Sequence, residues 1–233
     1  MDIRETATII QERLRRDQAT ADDSKFDHIN PRNECPLCGG VGYVRVTGGV
    51  VRCECQKQKI ARKKLAEIPE RYRDSTFANY VPEDAQQQAA LDRISGDFTE
   101  SFFIHGDYSR GKTHLATAQY RRLIEIERPA MFFPMSELLH ELRRAELDRD
   151  FFCVVRDRAM HADTLHLFVD DIDKFKPTDF KSEVLFDLFD CIWKRKLGLT
   201  ITSNHTLGEL AESEAVPPSV IRRIDAICRA IEV

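Results

Sequence analysis

Ser101-Phe-Phe-Ile-His-Gly106-Asp-Tyr-Ser-Arg-Gly111-Lys-Thr-His114 is the stretch that decides the fold. Phe102, Phe103 and Ile104 make an apolar, β-favouring run that stops at Gly106. Asp107, Tyr108, Ser109 and Arg110 then lead to Gly111, Lys112 and Thr113, and a helix-like stretch from Leu115 to Ile126 follows at once. A glycine, four residues and Gly-Lys-Thr between a strand and a helix is the pattern of a phosphate-binding loop. Glycines at 106 and 111 let the backbone turn several N–H groups toward phosphate oxygens, and the helix N-terminus adds a positive dipole. Lys112 is expected to reach the β- and γ-phosphates of a nucleotide and the Thr113 hydroxyl to bind Mg²⁺, with contacts running from Gly106 through His114.

Downstream, strands are expected near residues 130–134, 165–170, 198–203 and 229–233, with helices between them. With 101–105 they give the alternation of an α/β protein with a parallel sheet. Leu165 to Val169 ends in Asp170-Asp171, which puts two carboxylates at a strand's C-terminal end, where ligands of open α/β sheets bind. Asp170 is expected to hold Mg²⁺ through water and Asp171 to orient or deprotonate an attacking water. The alternative is a helix N-cap, and one Asp can serve both ends. Leu199 to Thr202 ends in Ser203-Asn204, where an amide can sense a γ-phosphate or simply make a turn. Arg222 and Arg223 precede the last strand, and an arginine delivered from a neighbouring subunit stabilises charge in phosphoryl transfer. The stretch 135–163 is longer than one crossover requires and carries Arg143, Arg144, Arg149, Arg156 and Arg158.

Upstream, Cys35-Pro-Leu-Cys38-Gly-Gly and Cys53-Glu-Cys55 flank two alternating runs, Val41 to Val46 and Val50 to Arg52, about Gly48-Gly49. The runs predict a hairpin that brings the second cysteine pair back to the first. Four thiolates there would close a tetrahedral, structural Zn²⁺ site with no open position. A module this small and polar needs such a staple. Cys153, Cys191 and Cys228 sit among apolar residues and read as core thiols.

Residues 2–18 predict a charged helix with Ile3, Ile10 and Leu14 near one face, either a solvated packing helix or a partner-binding one. Residues 19–33 read as a linker. A basic helix is expected over 56–67, with Lys57, Lys59, Arg62, Lys63 and Lys64 either solvated or touching nucleic acid or an acidic partner. Pro69 ends it. The expected domains are therefore 1–67 and 68–233.

The chain has 233 residues, 42% hydrophobic and 32% charged, enough for a real core in one or two domains. Its net charge of −4 is uneven: residues 1–75 hold 15 Lys and Arg against 12 Asp and Glu, and residues 76–233 hold 20 against 27. The acidic part offers no broad basic face, so any nucleic-acid contact there must be local. No apolar run approaches the ~20 residues of a membrane span, and the charged start, Met-Asp-Ile-Arg-Glu, does not read as a secretory signal. Seven cysteines beside a nucleotide-binding pattern favour a reducing cytoplasm and metal over disulfides.

Together these stretches resemble the bacterial and phage replicative helicase loaders of the DnaC/DnaI family, which are AAA+ ATPases. The matching pieces are Cys-Pro-Leu-Cys-Gly-Gly with Cys-Glu-Cys, Ile68-Pro-Glu-Arg-Tyr72 with Phe77 and Tyr80, Gly-Lys-Thr-His-Leu-Ala, Val-Asp-Asp-Ile and Thr-Ser-Asn. The resemblance covers nearly all of residues 33–233. It implies a five-stranded parallel sheet in the order 5-1-4-3-2 behind a small zinc-binding module. It also implies binding of ATP or ADP with Mg²⁺, self-assembly on ATP and single-stranded DNA, and delivery of a hexameric DnaB-type helicase in the cytoplasm. By the resemblance Asn204 is sensor 1 and Arg223 the arginine finger, with Arg222 its competitor. DNA contacts are expected from Ser136 to Arg143 and from the arginines that follow. Two departures bear on hydrolysis and docking: Asp171 stands where Glu is usual, and many relatives continue past the position of Val233 to a second sensor arginine. The rivals are a transposition helper ATPase of the IstB type, against which the zinc module speaks, and a nucleotide-binding adaptor with little hydrolysis.

Overall fold

The computed structural model describes residues 35–138, 165–175, 178–213 and 216–233. The expected helix over residues 2–18, the linker to residue 33, Cys153, and Arg143, Arg144, Arg149, Arg156 and Arg158 lie outside these. The chain divides into two compact units at Lys63 and Lys64.

In the first unit, β1 (Tyr43–Val46) and β2 (Gly49–Arg52) pair antiparallel, with Val46 opposite Gly49. Gly48 at the turn has φ 97, a left-handed value that glycine adopts without strain. Helix α1 spans Glu54–Leu65 and starts two residues earlier than the basic run suggests. The Cys53 carbonyl accepts from Gln56 and Lys57 N–H and so begins the helix at the second cysteine pair.

The second unit holds α2 (Ala85–Gly96), β3 (Phe102–His105), α3 (Lys112–Glu125), β4 (Ala130–Pro134), β5 (His166–Asp170), α4 (Asp179–Arg195), β6 (Gly198–Ser203), α5 (Leu207–Glu212), α6 (Pro218–Ile227) and β7 (Arg229–Glu232). The strands form one parallel sheet in the order β4-β5-β6-β3-β7, which is the expected 5-1-4-3-2 counted along the chain. Side-chain alternation divides the core between its two faces. Phe103, Leu167, Val169, Leu199 and Ile201 meet Leu185, Phe189 and Ile192 of α4 and Val220 and Ile224 of α6. On the other face Tyr120 of α3 sets its ring edge-on to Phe132 and Phe168, at 5.6 and 5.3 Å between centroids. Burying each such side chain contributes roughly 1.5–3 kcal/mol. Helix α2 has no counterpart in the sequence reading. It buries only Gln87, Ala90 and Ile94, so its apolar stripe is faint, and it starts because the Asp84 side chain accepts from Gln87 N–H. Among the described residues, no helix is long and apolar enough to cross a membrane.

A polar chain runs through the α3-facing layer. Gln119 Nε2 donates to the carbonyls of Phe98 and Glu100, and the Thr200 hydroxyl donates to Gln119 Oε1 at 2.9 Å. That leaves Thr200 to accept from His166 Nε2, at 2.8 Å. His166 Nδ1 is then bare, buried and unpartnered among the described residues. Burial, then the charge of Arg128, pushes the His166 pKa down to about 3 from 6.5. Below 6.5 the unfolded chain takes up a proton that the native imidazole refuses, so stability falls with pH through the interval down to 3, by about 1.4 kcal/mol per unit. Urea midpoints at pH 7.5 and 5 should show that loss, and His166→Gln should flatten the slope. An unchanged slope would mean the imidazole is not held neutral.

Candidate nucleotide site and thiol cluster

Strand β3 delivers Gly106 at its C-terminal end, and α3 starts at Lys112. Gly106 has φ 145 and Gly111 φ 87. A β-carbon would sit 2.1 Å from the Val233 carbonyl oxygen at the first and 2.5 Å from the Tyr80 ring at the second, so both positions require glycine. Ser109 takes φ 64 without being glycine, which costs about 1–2 kcal/mol. The loop is braced from outside. The Tyr80 hydroxyl and Gln87 Nε2 both donate to the Arg110 carbonyl, at 3.1 and 3.2 Å. The Arg110 guanidinium pairs with Asp84 and holds that carboxyl below the usual range. Residue His114 belongs to this brace: Nε2 lies 2.9 Å from the Thr76 carbonyl and its ring meets Tyr80 edge-on. Tyr108, at the loop's tip, is exposed.

Inside the loop, the buried Lys112 ammonium donates to the carbonyls of Gly106 and Asp107, at 2.9 and 2.6 Å. Burial lowers its pKa, opposed by the charges of Asp171, Asp173, Asp107 and Asp170. Thr113 and Asp170 meet, the hydroxyl donating to Oδ1 at 2.9 Å, and Thr202 donates to the same oxygen at 2.7 Å. Burial raises the Asp170 pKa against these two bonds. A buried carboxylate beside a hydroxyl, with a net cost to its charge, suits a divalent cation held by oxygen ligands. Asp171 has φ 58 and donates its N–H to Thr202, while its carboxylate pairs with Lys174.

Asn204 lies at the C-terminal end of β6, with its side chain bonded to Asp173, a residue the sequence reading did not single out. Nothing in local spacing marks that pair, since 31 residues separate the two. Arg223 is also partnered. Its guanidinium pairs with Asp190 at 2.7 Å and lies 4.5 Å from the Trp193 ring centroid and 5.5 Å from that of Phe186. Arg222 is exposed.

In the first unit the sulfurs of Cys35, Cys38, Cys53 and Cys55 all lie within 4.8 Å of one another. Cys35 and Cys53 are 3.7 Å apart and Cys38 and Cys55 3.5 Å. Four Zn–S bonds of about 2.3 Å at tetrahedral angles place sulfurs about 3.8 Å apart, so the donor set fits that ion. Gly42 N–H donates to Cys38 Sγ at 3.3 Å. Backbone N–H groups of Leu37 and Cys38 hold the Cys35 thiol down at about 6, and Cys38 pushes Cys55 up to about 12. The tighter Cys-x-Cys pair is accommodated because Cys53 ends the hairpin and Cys55 lies in the first turn of α1. Cys228 is buried, as a core thiol should be, and Cys191 is half-buried.

This strand order, with a Gly-x₄-Gly-Lys-Thr loop after the first sheet strand and two acids after the third, is the fold of the AAA+ ATPases. Its structural neighbours are helicase loaders and replication initiators. The DnaC helicase loader superposes with a TM-score of 0.60 at 18% identity, covering 71% of this chain and 99% of that one. DnaI gives 0.59 at 18%, covering 70% and 93%. AMPPCP-bound DnaA from Aquifex aeolicus gives 0.59 at 15%, covering 71% of this chain and 51% of its own, so this chain spans about half of that protein. By sequence, the uncharacterized protein YqaM of Bacillus subtilis (strain 168) is 28% identical over 200 residues, 76% of this chain and 61% of the relative. No protein-family model matches.

Proposed function

We propose that this chain is an ATP-dependent helicase loader. In this reading residues 68–233 bind ATP, Mg²⁺ and single-stranded DNA, and the zinc-bearing module recruits a hexameric DnaB-type helicase in the cytoplasm. The observation that carries the nucleotide part is the convergence of buried Lys112 and half-buried Thr113, at one helix start, with buried Asp170, at one strand end. Bound Mg²⁺ supplies charge that offsets the phosphates. Thr113 and Asp170 are the residues that would hold it, and Lys112 exchanges its two carbonyl partners for phosphate oxygens. Asp171 positions the attacking water once its bond to Lys174 opens. The helicase and DNA parts are supported by the likeness to DnaC and DnaI and by the cysteine module.

Arg223 serves as the finger for a neighbour's nucleotide in this scheme, and in the isolated chain it is occupied by Asp190 and Trp193. Isolated protein should therefore bind ATP and turn it over slowly, with activity rising on addition of single-stranded DNA. A finger contributes on the order of 10³–10⁵ in rate in phosphoryl-transfer systems. Arg223→Ala should abolish the stimulation, and mixing it with Lys112→Ala should restore some turnover, since each supplies what the other lacks. Because Arg223→Ala also removes the Asp190 pair, its melting temperature is measured alongside. Full DNA-stimulated turnover in a folded Arg223→Ala would transfer the role to Arg222 or favour the adaptor. Copurification with the host replicative helicase tests the partner.

A further inference from the structure

The 3-10 turn Ile172–Lys174 follows Asp171, whose left-handed φ of 58 and ψ of 58 swing the chain sharply as it leaves β5. Asp tolerates that conformation better than most residues, and the fully buried Ile172 pins the turn. The turn presents Asp173 to the end of the neighbouring strand β6. Its two carboxylate oxygens accept separately from Asn204: Oδ1 from the backbone N–H at 3.3 Å and Oδ2 from side-chain Nδ2 at 2.9 Å. Ser203 lies opposite His105 in the β3–β6 register, so Asn204 and Asp173 sit at the same end of the sheet as the loop that starts at Gly106, and the charge of Asp173 is felt by the Lys112 ammonium.

We infer that Asp173 is a positioning residue that fixes the orientation of the Asn204 amide toward the terminal phosphate of a bound nucleotide. The inference rests on the ATPase reading above and deepens it. A side-chain amide has two donors and one acceptor, and left free it can turn either end toward a ligand. A carboxylate accepts only, so flipping the amide would set Oδ1 against Oδ2 and forfeit a charge-assisted bond. One N–H of Nδ2 is spent on Asp173. The other N–H and Oδ1 keep fixed directions, one able to donate to a phosphate oxygen and one able to accept from water. Such a device distinguishes nucleotides by whether a third phosphate is present. Asp171 cannot do this work here, because its carboxylate is paired with Lys174.

The test uses the full chain with Mg²⁺ and compares affinities for a non-hydrolysable ATP analogue and for ADP, together with kcat and KM for ATP. One lost bond to a charged group is worth about tenfold in affinity. Asn204→Ala should therefore lose about tenfold of the preference for the triphosphate. Asp173→Ala should lose most of the same factor and lower kcat more than it raises KM. The double variant should be no worse than Asn204→Ala, because the two act as a unit. Asp173→Asn, whose carboxamide oxygen still accepts from Asn204, should restore at least half of what Asp173→Ala loses. The inference is overturned if Asp173→Ala keeps the wild-type preference, if the two losses add, or if wild type has no preference for the triphosphate. It is also overturned if Asp173→Asn is as impaired as Asp173→Ala, since charge rather than orientation would then matter. If wild type binds both nucleotides no better than Lys112→Ala, the ATPase reading itself fails, and that result is distinct from all of these.

Discussion

Stripping metal from the full chain with a strong chelator should release about one Zn²⁺ per molecule, by four-ligand stoichiometry, and unfold the first unit. The expected effect is large because little else among the described residues of that unit can hold it together. Of its described hydrophobic residues only Cys53 is buried, and every residue of β2 is exposed. A structural zinc contributes on the order of 10–16 kcal/mol to small modules of this kind, far above what two four-residue strands supply. Cys38→Ser should act like the chelator, since it removes one ligand and the sulfur that accepts from Gly42. Nucleotide affinity should stay within about twofold of wild type, because the second unit has its own core. Hydrogen exchange over residues 35–56 reads the first effect and calorimetric titration with ATP the second. Metal-free protein with a protected hairpin would remove the zinc assignment.

Lys112→Ala should weaken ATP binding by about 2–3 kcal/mol, the scale of charge-assisted bonds. The surroundings push toward the upper end. Four carboxylates, Asp107, Asp170, Asp171 and Asp173, act on that one ammonium. Without it a polyphosphate would enter a cluster of negative groups with the loop's N–H donors and bound Mg²⁺, but no side-chain cation of the loop, to oppose them. The variant should still fold, since among the described residues the Lys112 ammonium bonds to two loop carbonyls and not to the sheet. Calorimetric titration decides the point, and equal affinity in both proteins would refute the phosphate-loop assignment.

Strands β3 to β6 were legible because each is a short run of apolar or β-branched residues with polar or glycine boundaries, whereas β7, Arg-Ala-Ile-Glu and mostly exposed, followed only from the strand–helix alternation. The turn from Gly106 to Lys112 and the gathering of the cysteine pairs were legible because such geometry depends on close sequence spacing. Contacts that join distant positions left no such trace. Tyr80 and Gln87 brace Arg110 from 30 and 23 residues away. Asp173 finds Asn204 only after β6 is laid beside β5, and Arg223 finds Asp190 only after α6 packs on α4. Helix α2 was hidden for a different reason: its buried face includes a glutamine, so the periodic apolar signal is nearly absent. Helix boundaries shifted where backbone geometry rather than composition starts the helix, as at Cys53 for α1 and at left-handed Gly111 for α3.

One constraint will outlast any particular variant. A β-carbon on Gly198 would lie 2.1 Å from His166 Nδ1, because β5 and β6 place the two residues side by side. The bare nitrogen of the imidazole thus occupies the space that any other amino acid at 198 would fill. Substitutions at the two sites are therefore expected to be bound to each other. A side chain can enter at 198 only where 166 has already shrunk, and a histidine can arise at 166 only opposite glycine.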